Sequence, residues 1–282
     1  MSIGNEHIDY SIELIRKGEK LALALNPEGY FVGFSGGKDS QVLLELVKMA
    51  GVKFHAYYSV TTNDPPENIY FIRRHYPEVT FRHPKEIFFM LVEKKGLPTM
   101  VHRFCCAELK EQAGAGYAVL TGVRADESRK RAAYNEVRII SRRKEHADRT
   151  KQHTIEEIEQ NEHRCIKGKD ALMIYPILHW TEDEVWEFIY RQGLHVNPCY
   201  QQSGRVGCMF CPFSKKSQIE YYEKAYPKFK ERLIASYSKY LERNNWIGTR
   251  GFGTAEEYYE WWKSKENIET YKAKQRQTSL EL

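Results

Sequence analysis

The sequence lacks several features that would settle its class early. No apolar run approaches the roughly 18 residues of a membrane span, and the opening MSIGNEHIDYSIELIRKGEK holds no secretion-signal core. No repeat and no low-complexity tract is present. No cysteine follows Cys211, so the final 71 residues are thiol-free. Neither charge sign dominates: 43 Lys and Arg against 38 Asp and Glu leave a formal +5. These absences argue against a membrane-spanning protein and a repeat array, and the chain is expected to be cytoplasmic. In a reducing compartment the six cysteines are not read as structural disulfides. The mild positive excess suits an anionic substrate such as a nucleotide and permits nucleic acid without demanding it.

What is present is enough apolar material for a core, 41% hydrophobic and 13% aromatic over 282 residues. Residues 6–25 read as one amphipathic helix with Ile8, Ile12, Ile15 and Leu23 inward, stopped by NPEG at 26–29. Then apolar runs alternate with helical periods. YFVGF (30–34), VKFHAYYSV (52–60), EVTFRH (78–83), YAVLTGV (117–123) and ALMIYPILH (171–179) read as strands. Residues 39–50, 67–76, 84–96 and 181–193 read as helices, the last with Thr181 as N-cap and Glu184 completing a capping box. This rhythm predicts an α/β fold: a parallel twisted sheet flanked by helices, with a helical C-terminal extension. Three segments are expected: an N-terminal helix (1–29), an α/β domain (30–214) and the extension (215–282). Between 124 and 151 the pattern blurs into ten Lys and Arg against five Asp and Glu, and TIEEIEQNEH reads as a short acidic helix or loop. His146, His153 and His163 in this region are expected to be solvated.

The strand YFVGF ends abruptly in SGGKDS, residues 35–40, and a helix begins. Strand, glycine turn and helix start together form a phosphate-binding geometry. Gly36 and Gly37 let the backbone approach an anion, and the helix N-terminus supplies positive potential. Ser35 and Ser40 can donate to phosphate oxygens, and Lys38 adds charge. Asp39 would repel a bare phosphate, which points to Mg²⁺. The spacing is not that of the Walker A loop.

Four cysteines fall into two pairs, Cys105–Cys106 in HRFCCAELK and Cys208–Cys211 in GRVGCMFCP. Four thiolates suit tetrahedral zinc or a [4Fe-4S] cluster. The divergence of adjacent side chains disfavours zinc.

SGGKDS resembles the PP-loop of the ATP pyrophosphatases (adenine nucleotide α-hydrolase-like fold), which cut ATP between its α and β phosphates. Cys105, Cys106, Lys110, Cys208 and Cys211 resemble the Cys-Cys-x-x-x-Lys and later Cys-x-x-Cys pattern of cluster-bearing adenylylsulfate reductases. Those enzymes belong to the phosphoadenosine phosphosulfate (PAPS) reductase superfamily. DPPENIYFI (64–72), TGVRADESRKR (121–131), YPILHWTEDEVWEFI and NPCYQQSGRVGCMFCP extend the resemblance over about residues 30–215. TTND stands where that family carries Asp-Thr-Gly. The resemblance implies ATP as substrate, with Ser35, Gly36, Gly37 and Ser40 on its phosphates and Lys38 on the departing pyrophosphate. It implies Asp39 on magnesium, and Arg124, Ser128 and Arg131 on anionic groups. It further implies a [4Fe-4S] cluster on the four paired cysteines, with Lys110 near cluster and substrate. Trp180 and Trp186 are read as core.

Sulfonucleotide reductases of this superfamily place a nucleophilic cysteine near the C-terminus, and none stands here. Only Cys165 or Cys199 could replace it. The pattern is closer to the iron–sulfur ATP pyrophosphatase of DNA phosphorothioation systems. That likeness implies adenylation of DNA or tRNA for sulfur insertion, with a cysteine desulfurase as sulfur donor. A reductase releasing sulfite and a non-catalytic nucleotide-binding subunit are the alternatives.

Overall fold

In the computed structural model, residues 4–110, 114–140, 150–161, 170–248 and 252–280 are described. Contacts divide the chain into two units: 1–60, 66–83 and 109–206 form the larger, and 61–65, 84–108 and 207–282 the smaller. The helices expected at 215–282 therefore belong to a unit that also draws on two segments from the first half of the chain.

The larger unit is built on seven strands: β1 (Tyr30–Gly33), β2 (Phe54–Ser59), β3 (Thr80–Arg82), β4 (Ala118–Leu120), β5 (Val137–Ile140), β6 (Thr150–His153) and β7 (Ala171–Ile174). Their order is β3-β2-β1-β4-β7-β5-β6. The pairs β1–β2, β2–β3, β1–β4 and β4–β7 are parallel, as the alternating sequence pattern requires. β5 runs antiparallel to both β7 and β6. That pair was not legible in the sequence. β5 is the run VRII inside the basic stretch, and its buried Arg138 masks the apolar signal.

Helices flank the sheet. Leu43, Leu44 and Leu46 of Lys38–Ala50, Ile15 of the N-terminal helix and Ile72 of Pro66–His75 are fully buried with Leu120 and Ile174. The expected single helix 6–25 is two, Asn5–Lys17 and Glu19–Leu25, and the second turns Leu21 and Ala22 inward and leaves Leu23, expected inward, exposed. The break falls at Gly18, where a Cβ would stand 2.5 Å from the Tyr30 hydroxyl. That hydroxyl donates to the Ile15 carbonyl at 2.8 Å, so strand and helix approach too closely for any side chain between them. Ser11 pins the same helix. Its buried hydroxyl donates to Pro176 O at 2.7 Å and accepts from the Trp180 indole at 3.1 Å. Trp180 is core, as expected; Thr181 and Glu184 form the expected capping box.

Strand order reverses between β1 and β4. From β1 the chain moves outward to β2 and β3, then returns to β4 on the other side. In open α/β sheets the crevice outside the carboxyl ends of two such strands is where ligands bind. The turns that leave β1 and β4 here are SGGKDS and TGVR.

The smaller unit is helical. Phe88–Lys95, Lys216–Ala225, Pro227–Arg243, Ala255–Ser264 and Ile268–Leu280 are its main helices. Phe229 stacks on Phe210 and packs on Phe89, at centroid distances of 5.3 and 4.6 Å. Glu223 ties three helices together: Lys230 lies 3.0 Å and Lys263 3.2 Å away, and the Tyr259 hydroxyl donates at 2.9 Å. Burial pushes the Glu223 carboxyl up, but the bonds from Lys230, Tyr259 and Lys263 outweigh it and hold the group below its ordinary 4.5. A depressed carboxylate contributes stability above its unfolded value and loses it as pH falls through the folded one. Glu223→Gln should therefore destabilise the chain to urea at neutral pH, and its deficit against wild type should shrink as pH falls below 4.5. A deficit independent of pH would assign the loss to packing instead.

Candidate active site

The turn after β1 is held in shape by buried amides. Gly36 has φ +78°, and a Cβ there would meet the Asn68 side-chain oxygen at 2.4 Å. The position is therefore closed to other residues on both conformational and steric grounds. The Gly36 carbonyl accepts from Asn197 Nδ2 at 2.9 Å and Gln41 Nε2 at 3.2 Å. Asn197 Nδ2 also donates to Asn68 Oδ1 at 2.7 Å, and Asn68 Nδ2 donates to the Ser35 carbonyl at 3.1 Å. Asn197 Oδ1 accepts from the Cys199 amide at 3.0 Å. Inside the turn, Ser40 Oγ donates to Gly37 O at 2.8 Å and accepts from the Ser35 amide at 3.1 Å. The two serine hydroxyls lie 3.1 Å apart. Ser35, Gly36, Gly37, Lys38, Asp39 and Ser40 are thus gathered at the N-terminus of a 13-residue helix whose cap is Gly37.

The Lys38 amide donates to the Tyr200 hydroxyl at 2.9 Å. Burial, reinforced by the charges of Asp39 and Glu182, keeps that phenol far above its ordinary value, so it stays neutral beside the loop. The Lys38 ammonium lies 3.2 Å from Asp39 and 3.5 Å from Glu182. The other Asp39 oxygen accepts from Arg124 Nε at 2.6 Å.

Arg124 was expected to face an anionic group. It is 2% exposed, and its guanidinium also donates to Asp126 and to the Trp180 carbonyl, each at 3.3 Å. Burial disfavours its charge, but the bond to Asp39 together with the charges of Asp39 and Glu127 and the bond to Asp126 outweigh that cost. The residue therefore fastens the β4 turn to the loop. Gly122 allows this closeness, since a Cβ there would stand 2.7 Å from Asp39 O.

Ser128 and Arg131 are not drawn into this group. Ser128 is exposed and caps a short helix by accepting from the Arg131 amide at 3.3 Å, and the half-buried Arg131 pairs with Glu127. Lys110 is exposed, one residue beyond the helix Phe104–Leu109. His146, His163 and Cys165 lie outside the described residues, and the His153 side chain does as well.

Asn68, Asn197, Tyr200, Gln41 and Glu182 were not singled out from sequence. Asn197 and Tyr200 sit in NPCY, Asn68 in DPPENIYFI and Glu182 in TEDEV. An Asn-Pro opening a helix in a stretch with no apolar period was the available signal, since it asks for a polar partner elsewhere.

The paired cysteines belong to the smaller unit. Cys105 and Cys106 open the helix Phe104–Leu109, half-buried. Cys208 and Cys211 are also half-buried, while Met209 and Phe210 between them are buried. The Met209 amide donates to the Asn63 carbonyl at 2.9 Å, which anchors that turn. No disulfide joins the described cysteines. The Cys105 thiol is pushed well above its ordinary range, first by its hydrogen bond to Cys106, then by burial and by Cys106, Cys208 and Cys211 charges. Among the described residues, no three His, Cys, Asp or Glu side chains gather around a position for a single metal ion. In place of the expected Asp-Thr-Gly, TTND makes a strained turn with Thr62 at φ +57°, which a β-branched residue rarely adopts. Asp64 accepts from the Thr61 amide and hydroxyl, both at 2.7 Å, and Thr61 Oγ1 lies 3.6 Å from Cys208 Sγ.

A strand-end glycine loop at the switch point of a mostly parallel sheet defines a nucleotide-binding α/β protein. The phosphoadenosine phosphosulfate reductase domain model matches residues 29–214, and the chain belongs to that family. An uncharacterised protein of Methanocaldococcus jannaschii is 27% identical over 228 residues, covering 76% of this chain and 42% of its own length. Subunit 2 of a sulfate adenylyltransferase from Sulfurovum sp. is 29% identical over 111 residues, 39% of this chain and 32% of its own length. The chain thus spans less than half the length of these curated relatives. Among solved structures, a Candida auris PAPS reductase in complex with phosphate superposes with a TM-score of 0.43 at 16% identity, over 74% of this chain and 97% of its own.

Asn197→Ala would leave Asn68 Oδ1 and the Cys199 amide without their partner. Each such buried group costs about 1–3 kcal/mol. Urea unfolding should show a loss of that order, whereas a loss below about 0.5 kcal/mol would mean that the loop holds its shape without Asn197.

Proposed function

We propose that the larger unit is a PP-loop ATP pyrophosphatase that adenylates an acceptor for sulfur transfer, and that the smaller unit carries a [4Fe-4S] cluster. The observation that carries the reading is the loop itself. It holds two glycines, two hydroxyls and a lysine at a helix N-terminus, outside the carboxyl ends of β1 and β4, with its backbone already braced. Such a loop has its backbone set before phosphates arrive.

In this reading the Gly36 and Gly37 backbone, with Ser35 and Ser40, cradles the β and γ phosphates. Lys38 trades one of its two carboxylate neighbours for the departing pyrophosphate. Each Asp39 oxygen accepts one cationic donor and keeps a second lone pair, so the carboxylate can also take Mg²⁺, which would offset phosphate charge. Arg124 acts by holding Asp39 in place and not by touching the acceptor. An acceptor oxygen attacks the α phosphorus, the bond to pyrophosphate breaks, and sulfur later displaces AMP. The name of the adenylyltransferase relative supports α-phosphate chemistry. DNA or tRNA is the proposed acceptor, and a cysteine desulfurase the proposed sulfur donor.

Four half-buried cysteines in two pairs offer the thiolates a [4Fe-4S] centre would need, and the divergence of the adjacent Cys105 and Cys106 side chains favours it over tetrahedral zinc. Such a centre supplies electron transfer or a sulfur-binding iron. Lys110, Ser128 and Arg131 are proposed as acceptor-side cations and donors.

The reductase alternative loses one of its two candidate nucleophiles. Cys199 is 1% exposed, and burial, with the nearby charge of Glu67, pushes its thiol up to about 12. A thiol so placed is not a ready nucleophile.

Protein purified without oxygen should convert ATP labelled at the α phosphate into AMP, faster with the true acceptor, and Asp39→Ala should lose at least about 100-fold. Intact ATP in the presence of both DNA and tRNA, together with sulfite release from PAPS, would overturn the reading. The same preparation should hold about four irons and four acid-labile sulfides per chain, and Cys208→Ser should lose them; stoichiometric zinc with no sulfide would favour the tetrahedral alternative.

A further inference from the structure

The smaller unit contains a cavity of about 410 Å³ that the ATP reaction does not use. Its volume is in the range of small-ligand sites. Its walls are aromatic: Tyr237, Tyr240, Trp246, Trp261 and Trp262 all line it and all remain partly exposed. The rings are fixed by each other and by their polar ends. Tyr240 stands edge-on to Trp246 at 5.5 Å and stacks on Tyr237 at 6.0 Å. The Trp262 indole donates to the Pro98 carbonyl at 2.7 Å and that of Trp261 to Glu266 O at 3.0 Å. Gly96 keeps the wall thin, since a Cβ there would lie 2.8 Å from the Tyr240 ring.

Core packing does not account for this arrangement. Trp246 is 40% exposed and Met100, at the mouth, 54%. The surrounding charge is positive. The smaller unit holds 18 Lys and Arg against 14 Asp and Glu, four of the chain's five net positive charges. Lys95, Lys265 and His102 line the cavity; Lys95 pairs with Glu108, Lys265 donates to Ser214 O, and the acidic lining residue Glu266 is paired with Lys274. Around it, cations lie over rings: Arg103 over Phe213 at 5.4 Å and Lys272 over Phe252 at 5.1 Å. Flat apolar walls with cations interleaved suit a ligand of flat rings joined by anionic links. The segments that form the cavity also carry the cysteines: Thr99 and His102 precede Cys105, and Pro212 follows Cys211.

We infer that this cavity receives an unstacked base of single-stranded nucleic acid, with the flanking Lys and Arg on the adjoining phosphates. The inference deepens the proposed function by giving the acceptor a place to bind, and it rests on that reading only for the purpose of binding. Duplex DNA keeps its bases stacked and would not enter.

Three of the five tryptophans line the cavity, so intrinsic fluorescence reports it directly. Full-length protein is titrated with single-stranded DNA, single-stranded RNA of the same sequence, and the duplex. One or both single strands should quench the tryptophans and bind at least about 10-fold tighter than duplex. Loss of one stacking ring costs about 5- to 100-fold in affinity. Trp246→Ala and Tyr240→Ala should each show a loss in that range, with unaltered thermal unfolding and unaltered AMP formation in the absence of acceptor. Trp246→Phe should retain most of the affinity. Equal binding of duplex and single strands, undiminished binding by both alanine variants, or no binding of any oligomer would overturn the inference. AMP formation without acceptor is read separately, so failure of the cavity and failure of the adenylation chemistry are distinguishable.

Discussion

The carbonyl of Gly36 is the point on which the shape of the glycine loop depends. A phosphate loop must turn its amides outward, which leaves carbonyls facing inward among apolar side chains. A buried carbonyl without a donor is costly. Here two side-chain amides, from Asn197 and Gln41, satisfy it. Asn197 comes from a segment about 160 residues later, and Asn68 couples both to the Ser35 carbonyl. Tyr76 completes the set by donating to Gln41 Oε1 at 2.6 Å. Three segments, 35–41, 68–76 and the one carrying Asn197, must come together before the loop has its shape, so its geometry is a property of the finished larger unit and not of the hexapeptide.

The Asp39–Arg124 pair follows the same logic at the next layer. It joins the two turns that leave β1 and β4, where strand order reverses. A buried ion pair is seldom retained for stability alone, because desolvating both charges offsets much of their attraction. Its geometry fixes the orientation of the one carboxylate in the loop. The smaller unit presents its two cysteine pairs on a helix start and on a Cys-x-x-Cys turn whose middle residues are buried.

Much of this was legible in advance. Periodicity placed the parallel strands and most helices, and the glycine–hydroxyl–lysine cluster at a strand end pointed to phosphate. The two cysteine pairs were visible as pairs. Other features were hidden for identifiable reasons. Arg138 obscured β5, because a buried cation under an aromatic ring reads as a surface charge. Gly18 split the first helix through a close approach to Tyr30 that no local pattern encodes. Arg124 looked like a ligand-facing cation because its carboxylate partner stands 85 residues away.

The sequence by itself determined the α/β class, the phosphate loop and its helix, and the set of paired thiols, because each is written in neighbouring residues through periodicity, turn chemistry or spacing. Only the tertiary structure decided which polar groups brace the loop and that Arg124 serves Asp39. It also decided that Cys199 is buried and that five aromatic rings of the C-terminal helices and their connections line a cavity. Those outcomes depend on burial and on partners far apart in the chain, and a linear pattern carries neither.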